Sequence, residues 1–128
     1  MNRITTRKTR LFAQASATLA LLAVTTAAVT PVVAESLNGP TRTFETVAAR
    51  DCDDYNVTFR GGERARVWAT GDGDIDIVIY DAAGNRIVSD TLSDARPSVA
   101  WTPPSTRTYK ICVDNTTGSE IDYVLRTN

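Results

Sequence analysis

Histidine is absent from this 128-residue chain. Because histidine is the commonest general base in enzymes and a frequent zinc ligand, its absence argues against Ser-His-Asp chemistry and most zinc hydrolase sites. The chain also lacks the Gly-x-Ser-x-Gly turn of serine hydrolases and the glycine-rich loop that binds phosphate. A glycosidase that uses two carboxylates is the enzyme class that composition leaves open. The sequence therefore predicts a protein that is not an enzyme and requires no cofactor.

Positive charge is scarce beyond residue 34. All 15 acidic residues lie from Glu35 onward, together with ten of the 14 basic residues, which gives this part of the chain a formal charge of −5. An acidic domain repels the phosphate backbone, so nucleic acid is not expected as a partner. Lys110 is the one lysine of this part and lies in the middle of a predicted strand, which argues against a lysine-activated serine or threonine.

Cysteine is limited to Cys52 and Cys112. In an oxidising compartment an even pair predicts one disulfide. A metal-binding pair and a reactive thiol are the alternatives, but the lack of histidine and of a Cys-x-x-Cys motif argues against zinc. Both cysteines are out of phase with the apolar residues of their strands, so we expect both on the outer side of the domain.

The first 34 residues have the pattern of an export signal. Four basic residues precede an apolar run over residues 11–29, and Val32-Val33-Ala34 supplies the small-residue cleavage pattern before Glu35. An uncleaved membrane anchor is the alternative, but polar residues dilute the apolar run. We therefore expect residues 1–34 to be a signal peptide, and the remaining protein to be periplasmic or extracellular without membrane insertion. Residues 35–42 are predicted to be a flexible segment.

Residues 43–128 have the pattern of an all-β domain. Short β-branched and aromatic runs alternate with clusters of glycine, aspartate, asparagine and proline, and no helical periodicity is present. This pattern is typical of an antiparallel β-sandwich of about eight strands. The predicted strands are residues 43–48, 54–59, 64–70, 74–80, 86–89, 98–102, 108–114 and 122–126. Alternation predicts which side chains face inward: Tyr55, Val57, Phe59, Ala65, Val67, Ala69, Ile75, Ile77, Ile79, Tyr109, Ile111 and Val113.

Two hairpins are expected from glycine-containing turns. A three-residue loop over residues 71–73 would place Ala69 opposite Ile75 and keep the apolar faces together, whereas a two-residue turn would mix the faces. Residues 81–85 are expected to form a second hairpin loop in which Gly84 adopts a left-handed conformation. That loop would bring Ile87 opposite Ile79.

Closely spaced aspartates give a candidate calcium site. Asp72, Asp74 and Asp76 fall on one face of an extended segment, and Asp53 and Asp54 belong to a second cluster. Grouped carboxylates repel one another, and a hard cation with oxygen ligands relieves that repulsion. The spacing does not match an EF-hand. The alternative is that these aspartates belong to turns and strand ends and face water.

Trp68 is predicted to face outward beside Arg66 and Tyr80. Exposed aromatic side chains with charged neighbours can form a binding surface for sugars or peptides. The alternative is that Trp68 packs against a loop or another segment of the chain. Trp101 shares a face with Val99 and is expected in the core.

The chain resembles the bacterial pre-peptidase C-terminal domain family from about Arg42 onward. The residues that carry the resemblance are Asp53-Asp54-Tyr55, Phe59-Arg60-Gly61-Gly62-Glu63, Gly71-Asp72-Gly73-Asp74-Ile75-Asp76, Ile79-Tyr80-Asp81, Gly84-Asn85, Trp101-Thr102-Pro103 and Thr108-Tyr109. The resemblance implies a jelly-roll-like β-sandwich. Members of the family are usually non-catalytic appendages of secreted peptidases, and related sandwiches bind collagen or carbohydrate. A cysteine pair is not general in the family, and no peptidase is attached in this sequence.

Together these features predict a free-standing, non-catalytic, exported binding module that engages a protein or a glycan, with calcium as a candidate aid. The alternative is a structural or regulatory envelope protein, such as a small inhibitor or an assembly partner. No sequence motif identifies the ligand, so a functional site has to be found in the fold itself.

Overall fold

The computed structural model describes residues 9–11 and 41–128, and these residues form a two-sheet β-sandwich without a helix. All eight predicted strands are present, so the prediction of an all-β sandwich is confirmed. Their bounds differ from the predicted ones by at most three residues. The strands are β1 Thr9–Leu11, β2 Thr41–Val47, β3 Asp51–Phe59, β4 Ala65–Gly71, β5 Asp76–Tyr80, β6 Arg86–Asp90, β7 Ser98–Trp101, β8 Arg107–Asn115 and β9 Ile121–Thr127.

The two sheets are built from strands that are distant in the sequence. Sheet A has the order β1-β3-β8-β5-β6, and sheet B has the order β2-β9-β4-β7. All neighbouring strands are antiparallel except β1, which runs parallel to β3. From β2 to β9 the chain changes sheet at every connection but the one between β5 and β6. This repeated crossing matches the predicted jelly-roll-like connectivity.

The core lies between the sheets and is filled by alternate residues of each strand. All twelve side chains that were predicted to face inward are buried in it. The buried cluster comprises Val47, Tyr55, Val57, Phe59, Ala65, Val67, Ala69, Ile75, Ile77, Ile79, Val99, Tyr109, Ile111, Val113, Ile121, Tyr123 and Leu125. Trp101 closes one end of this cluster, with its ring centre 4.9 Å from that of Phe59 and 5.2 Å from that of Tyr109. The predicted core role of Trp101 is confirmed.

The predicted hairpin between β4 and β5 is wrong. β4 pairs with β7 and β9 in sheet B, whereas β5 pairs with β6 and β8 in sheet A. Ala69 is therefore opposite Leu125 and not opposite Ile75. Both strands still direct their apolar side chains into the same core, but from opposite sheets. Alternation determines the face that a side chain occupies and does not determine which strand lies beside it.

The predicted hairpin between β5 and β6 is confirmed, but its register is not. Gly84 adopts a φ of 84°, the left-handed conformation that the loop requires. A bulge follows Ile79, so that Ile79 is opposite Val88, and Ile87 faces outward. The expected pairing of Ile87 with Ile79 is therefore wrong, because the bulge adds a residue to one strand.

The predicted domain bounds are only partly within the described residues. β2 begins at Thr41, inside the segment predicted to be flexible, and residues 35–40 lie outside the described residues. Of the predicted signal peptide, only Thr9–Leu11 are described, and their backbone pairs with Asp54–Asn56 at the edge of sheet A. Within the described ranges, no helix has the length and apolar character to span a membrane. Cleavage after residue 34 stays a prediction.

Candidate functional site

The disulfide between Cys52 and Cys112 lies on the outer face of sheet A. The two cysteines come from the adjacent strands β3 and β8, and their Cα atoms are 5.8 Å apart. Neither belongs to the buried core cluster. The predicted bridge is confirmed, as is its position outside the core. It joins two strands that are already paired, at the floor of a concave surface.

This concave surface, which we call the acidic groove, has a volume of about 430 Å³. It is lined by Arg50, Asp51, Cys52, Asp54, Tyr80, Gly84, Lys110, Cys112 and Asp114. A second concavity of about 250 Å³ adjoins it and shares Gly84 and Lys110 with it. The floor of the acidic groove is formed by β3, β8 and β5, so the side chains of the floor project from hydrogen-bonded strands.

Lys110 lies at the centre of the acidic groove between a carboxylate and an aromatic ring. Its Nζ is 3.8 Å from Oδ2 of Asp54 and 5.0 Å from the centre of the Tyr80 ring. The Asp54 side chain is only 6 % exposed, whereas that of Lys110 is 35 % exposed. The ammonium group is therefore held by a charge on one side and a π face on the other, and it still reaches solvent. Sequence reasoning missed this lysine because its neighbours come from distant strands.

Negative charge accumulates at the end of this face where β5 begins. Asp76 on β5 is directly opposite Asp114 on β8. The pKa of Asp76 is raised above its usual range, first by burial and then by the nearby carboxylates of Asp74, Asp114, Asp90 and Asp94. The surrounding carboxylates thus make Asp76 harder to ionise. A cationic partner would relieve that repulsion.

The fold does not bring all aspartates of the predicted calcium site to one place, although Asp74 lies near Asp76. Asp53 faces the core and Asp54 faces the acidic groove, because consecutive residues of a strand point to opposite sides. Asp72 lies beside β9, where its Oδ1 accepts a hydrogen bond of 3.1 Å from the Asp122 backbone N–H. In residues 9–11 and 41–128, the one cluster with the spacing of metal ligands is Cys52, Asp54 and Cys112, whose sulfurs form the disulfide. Calcium binding stays a prediction.

A buried polar relay lies beneath the acidic groove. The Tyr123 hydroxyl donates a hydrogen bond of 2.8 Å to Oδ2 of Asp53, and the Tyr55 hydroxyl is hydrogen-bonded to that of Tyr123. Burial, followed by the neighbouring Tyr55 and Asp53, raises the pKa of Tyr123 far above its usual range, so the phenol stays protonated. The alternation of β3 indicates these hydrogen bonds in advance, because it places the carboxyl group of Asp53 on the same inward face as Tyr55.

The structure divides the predicted ligand surface between two sides of the molecule. Tyr80 lies in the acidic groove on sheet A, whereas Trp68 and Arg66 belong to β4 in sheet B. The two residues of β4 do lie together, since the Arg66 guanidinium is 4.7 Å from the centre of the Trp68 ring. The expected grouping of Trp68 with Tyr80 was wrong because it depended on the incorrect β4–β5 hairpin.

Comparison by sequence finds no match for this chain. No family model matches it, and no curated protein matches it. The amino-acid sequence alone therefore assigns no family, and likeness has to be judged from the fold.

Comparison by fold finds solved structures of similar fold, including the following two. The chain is similar to the pre-peptidase C-terminal domain of collagenase from Bacillus anthracis, with 11 % sequence identity and a TM-score of 0.60 over 69 % of this chain and 88 % of that one. It is also similar to PliG of Aeromonas hydrophila, a periplasmic lysozyme inhibitor of g-type lysozyme, with 11 % identity and a TM-score of 0.54 over 70 % of this chain and 84 % of that one. At such identities the likeness shows the fold alone. The predicted resemblance to the pre-peptidase C-terminal domain is thus confirmed at the level of the fold.

Proposed function

We propose that this protein is a non-catalytic, exported binding module that engages a protein or a glycan through the acidic groove. The observation that carries the proposal is the arrangement of Tyr80, Lys110 and Asp54 in a concave surface of about 430 Å³. An aromatic ring beside charged hydrogen-bonding groups suits the recognition of a polar ligand.

The strands beneath the acidic groove support a binding role because they limit its movement. β3 and β8 are paired along nine residues, and the bridge between Cys52 and Cys112 links them covalently. A site that is already ordered loses little conformational entropy when it binds its ligand. Rigidity of this kind favours recognition of a ligand of defined shape.

The absence of histidine from the sequence and the likeness to an appended domain and an inhibitor support a role without catalysis. The disulfide supports export to the periplasm or beyond, as does the similarity to a periplasmic protein. Calcium-assisted binding is part of the proposal and is supported by the carboxylates around Asp76. Melting curves with and without millimolar calcium test it, and an unchanged melting temperature would remove calcium from the proposal.

The first experiment measures retention of the purified protein on a panel of immobilised neutral glycans and insoluble polymers, followed by titration with the best soluble fragment. We expect Tyr80→Ala to weaken binding about tenfold, which corresponds to the loss of one aromatic contact. Trp68→Ala on the opposite side of the sandwich is the matched control and should bind like the wild type. Equal binding by Tyr80→Ala and the wild type would contradict the proposal for the acidic groove.

An inhibitor of a cationic exported hydrolase is the second candidate. The formal charge of −5 beyond residue 34 and the opposed carboxylates of Asp76 and Asp114 favour a basic protein as partner. A lytic assay on cell walls, with lysozymes of different types and the purified protein added, tests this candidate directly. Loss of lysis at stoichiometric protein would support it. An assembly partner would instead co-purify with an envelope protein and leave lysis unchanged.

A further inference from the structure

The outer face of sheet B, which we call the arginine face, concentrates positive charge on an acidic molecule. Arg42 is directly opposite Arg126, and Arg126 is directly opposite Trp68 on the next strand. Arg66 lies two residues before Trp68 and projects to the same side. Three of the ten basic residues beyond residue 34 therefore project from neighbouring positions of one sheet.

A fourth arginine, Arg96, extends the arginine face in the segment that precedes β7. The backbone N–H groups of Ala69 and Gly71 donate to the carbonyl oxygens of Pro97 and Ala95. These bonds extend the pairing of β4 with the segment that leads into β7, and they place Arg96 on the same side as Arg66. The charge thus extends from β2 across β9 and β4 to the segment that precedes β7.

The charges of the arginine face are not neutralised by carboxylates of the domain. Among the side chains of residues 41–128, the ion pairs within 4.0 Å are Arg60 with Glu63 and Lys110 with Asp54, and neither belongs to this face. An arginine that is not consumed by an internal ion pair keeps its five N–H donors for a ligand. Within residues 41–128, the sheet therefore presents several guanidinium groups that no carboxylate neutralises.

Aromatic side chains accompany these arginines. The guanidinium of Arg66 stacks 4.7 Å from the centre of the Trp68 ring, which fixes its plane and leaves its in-plane donors open. Phe44 lies two residues from Arg42 on the same side of β2 and is 70 % exposed. A fixed guanidinium and an exposed ring are complementary to an anionic group and to the apolar face of a sugar ring.

We propose that the arginine face binds an acidic polysaccharide, with its carboxylate or sulfate groups at the arginines and a sugar ring against Phe44. Neighbouring outward residues of a sheet are roughly 5 Å apart between strands and 7 Å apart along a strand, which suits a polymer with about one charge per sugar. Duplex nucleic acid carries one charge per ~1.7 Å, a spacing much shorter than the spacing between these arginines. This site is independent of the acidic groove.

The test measures retention of the purified protein on immobilised polygalacturonate, on heparin and on uncharged dextran over a range of sodium chloride concentrations. We expect retention on the two anionic polymers that decreases as salt rises, and none on dextran. A carboxylated and a sulfated polymer distinguish the two sources of negative charge. Equal retention on dextran, or tighter binding to single-stranded DNA than to either polysaccharide, would overturn the proposal.

Variants test the residues of the arginine face. The double variant Arg66→Gln/Arg126→Gln should weaken binding at least about tenfold, because each lost charge-assisted hydrogen bond contributes on the order of a factor of ten. Phe44→Ala should also weaken binding while leaving the salt dependence unchanged. The double variant Arg86→Gln/Arg107→Gln, which removes two exposed arginines from sheet A, is the charge-matched control.

Three outcomes would overturn the assignment. The first is an equal loss of binding in Arg86→Gln/Arg107→Gln, which would indicate attraction by net charge alone. The second is wild-type binding by the double variant with an unchanged melting temperature. The third is that the wild type dimerises in low salt and the double variant stays monomeric. This result would make a second copy of the chain the partner of the arginine face. Tyr80→Ala should keep full affinity for the polysaccharide, so failure of this site and failure of the acidic groove are distinguishable.

Discussion

The hydroxyl of Tyr123 on β9 donates a hydrogen bond of 2.8 Å to Oδ2 of Asp53 on β3, and so connects sheet B to sheet A through the core. Both side chains are buried, with exposed fractions of 1 % and 3 %. A buried acceptor costs free energy unless a donor satisfies it. This pair therefore holds a carboxyl group inside the sandwich and couples the two sheets.

We predict that Tyr123→Phe lowers the free energy of unfolding by about 1.5–3 kcal/mol, because it leaves the Asp53 carboxyl without its tyrosine donor. Chemical denaturation of the variant and the wild type measures the change. Tyr55→Phe is the matched control, because it removes a hydroxyl from the same relay and retains the bond from Tyr123 to Asp53. A larger loss in Tyr55→Phe than in Tyr123→Phe would contradict this account of the relay.

The strand positions and inward faces could be predicted from the sequence, because the alternation of apolar and polar residues is a local property. Val67 and Ile77 were both predicted to be inward, and both are fully buried. The partner of each strand was not accessible, since two sheets that share one core give the same alternation. Val67 consequently pairs with Val99 and Thr127 and not with Ile77.

The candidate sites could be predicted from the sequence only in part, for the same reason. Trp68 and Arg66 lie on one strand, and their common face follows from their spacing. Tyr80 and Lys110 lie 30 positions apart and meet because β5 pairs with β8. No local pattern contains that pairing. The acidic groove and the arginine face therefore emerge only once the strand order is known.

We predict that Asp76→Asn raises the melting temperature at neutral pH. The pKa of Asp76 is raised in the folded protein, chiefly by burial and then by surrounding carboxylates, so its ionised form opposes folding. The increase in melting temperature should be present above the raised pKa of Asp76. It should disappear as the pH falls below about 4, where the side chain is protonated in the unfolded protein too. Melting curves over a series of pH values measure it.

Asp81 provides the comparison of opposite sign. Hydrogen bonds from Asn85 lower the pKa of Asp81, so its ionised form favours folding above the ordinary pKa of an aspartate. Asp81→Asn should therefore lower the melting temperature at neutral pH, with a difference that also fades in acid. A change of the same sign in both variants would refute the electrostatic explanation.

We predict that Asn115→Ala destabilises the fold more than any substitution of an exposed turn residue. The Asn115 side chain is fully buried; its Nδ2 donates to the Ala48 and Ser119 carbonyl oxygens, and its Oδ1 accepts from the Thr117 N–H. Truncation leaves these backbone groups unsatisfied, at a cost of about 1–3 kcal/mol for each one that water does not reach. Urea unfolding measures the loss.

Asn115→Asp is the matched variant for this turn. It keeps an acceptor for the Thr117 N–H but removes both donors to Ala48 and Ser119, and it places a negative charge near their carbonyl oxygens. We expect it to be at least as destabilising as Asn115→Ala. Wild-type stability of Asn115→Asp would show that the donors of Asn115 contribute little.

We predict that residues 35–128 form the same fold without the first 34 residues. Of that leader, the structure describes the backbone of β1, which pairs with three residues of β3 at the edge of sheet A, and among residues 41–128 the buried cluster begins at Val47. Backbone pairing of three residues at a sheet edge contributes little to the free energy of unfolding. Circular dichroism and thermal melting of the two forms should therefore agree within experimental error.

The matched control is a form that begins at residue 48 and so loses β2, whose seven residues pair with β9 and whose Val47 is fully buried. That form should melt well below the other two. A comparable loss of stability on removal of residues 1–34 would contradict the predicted boundary and make the leader part of the fold.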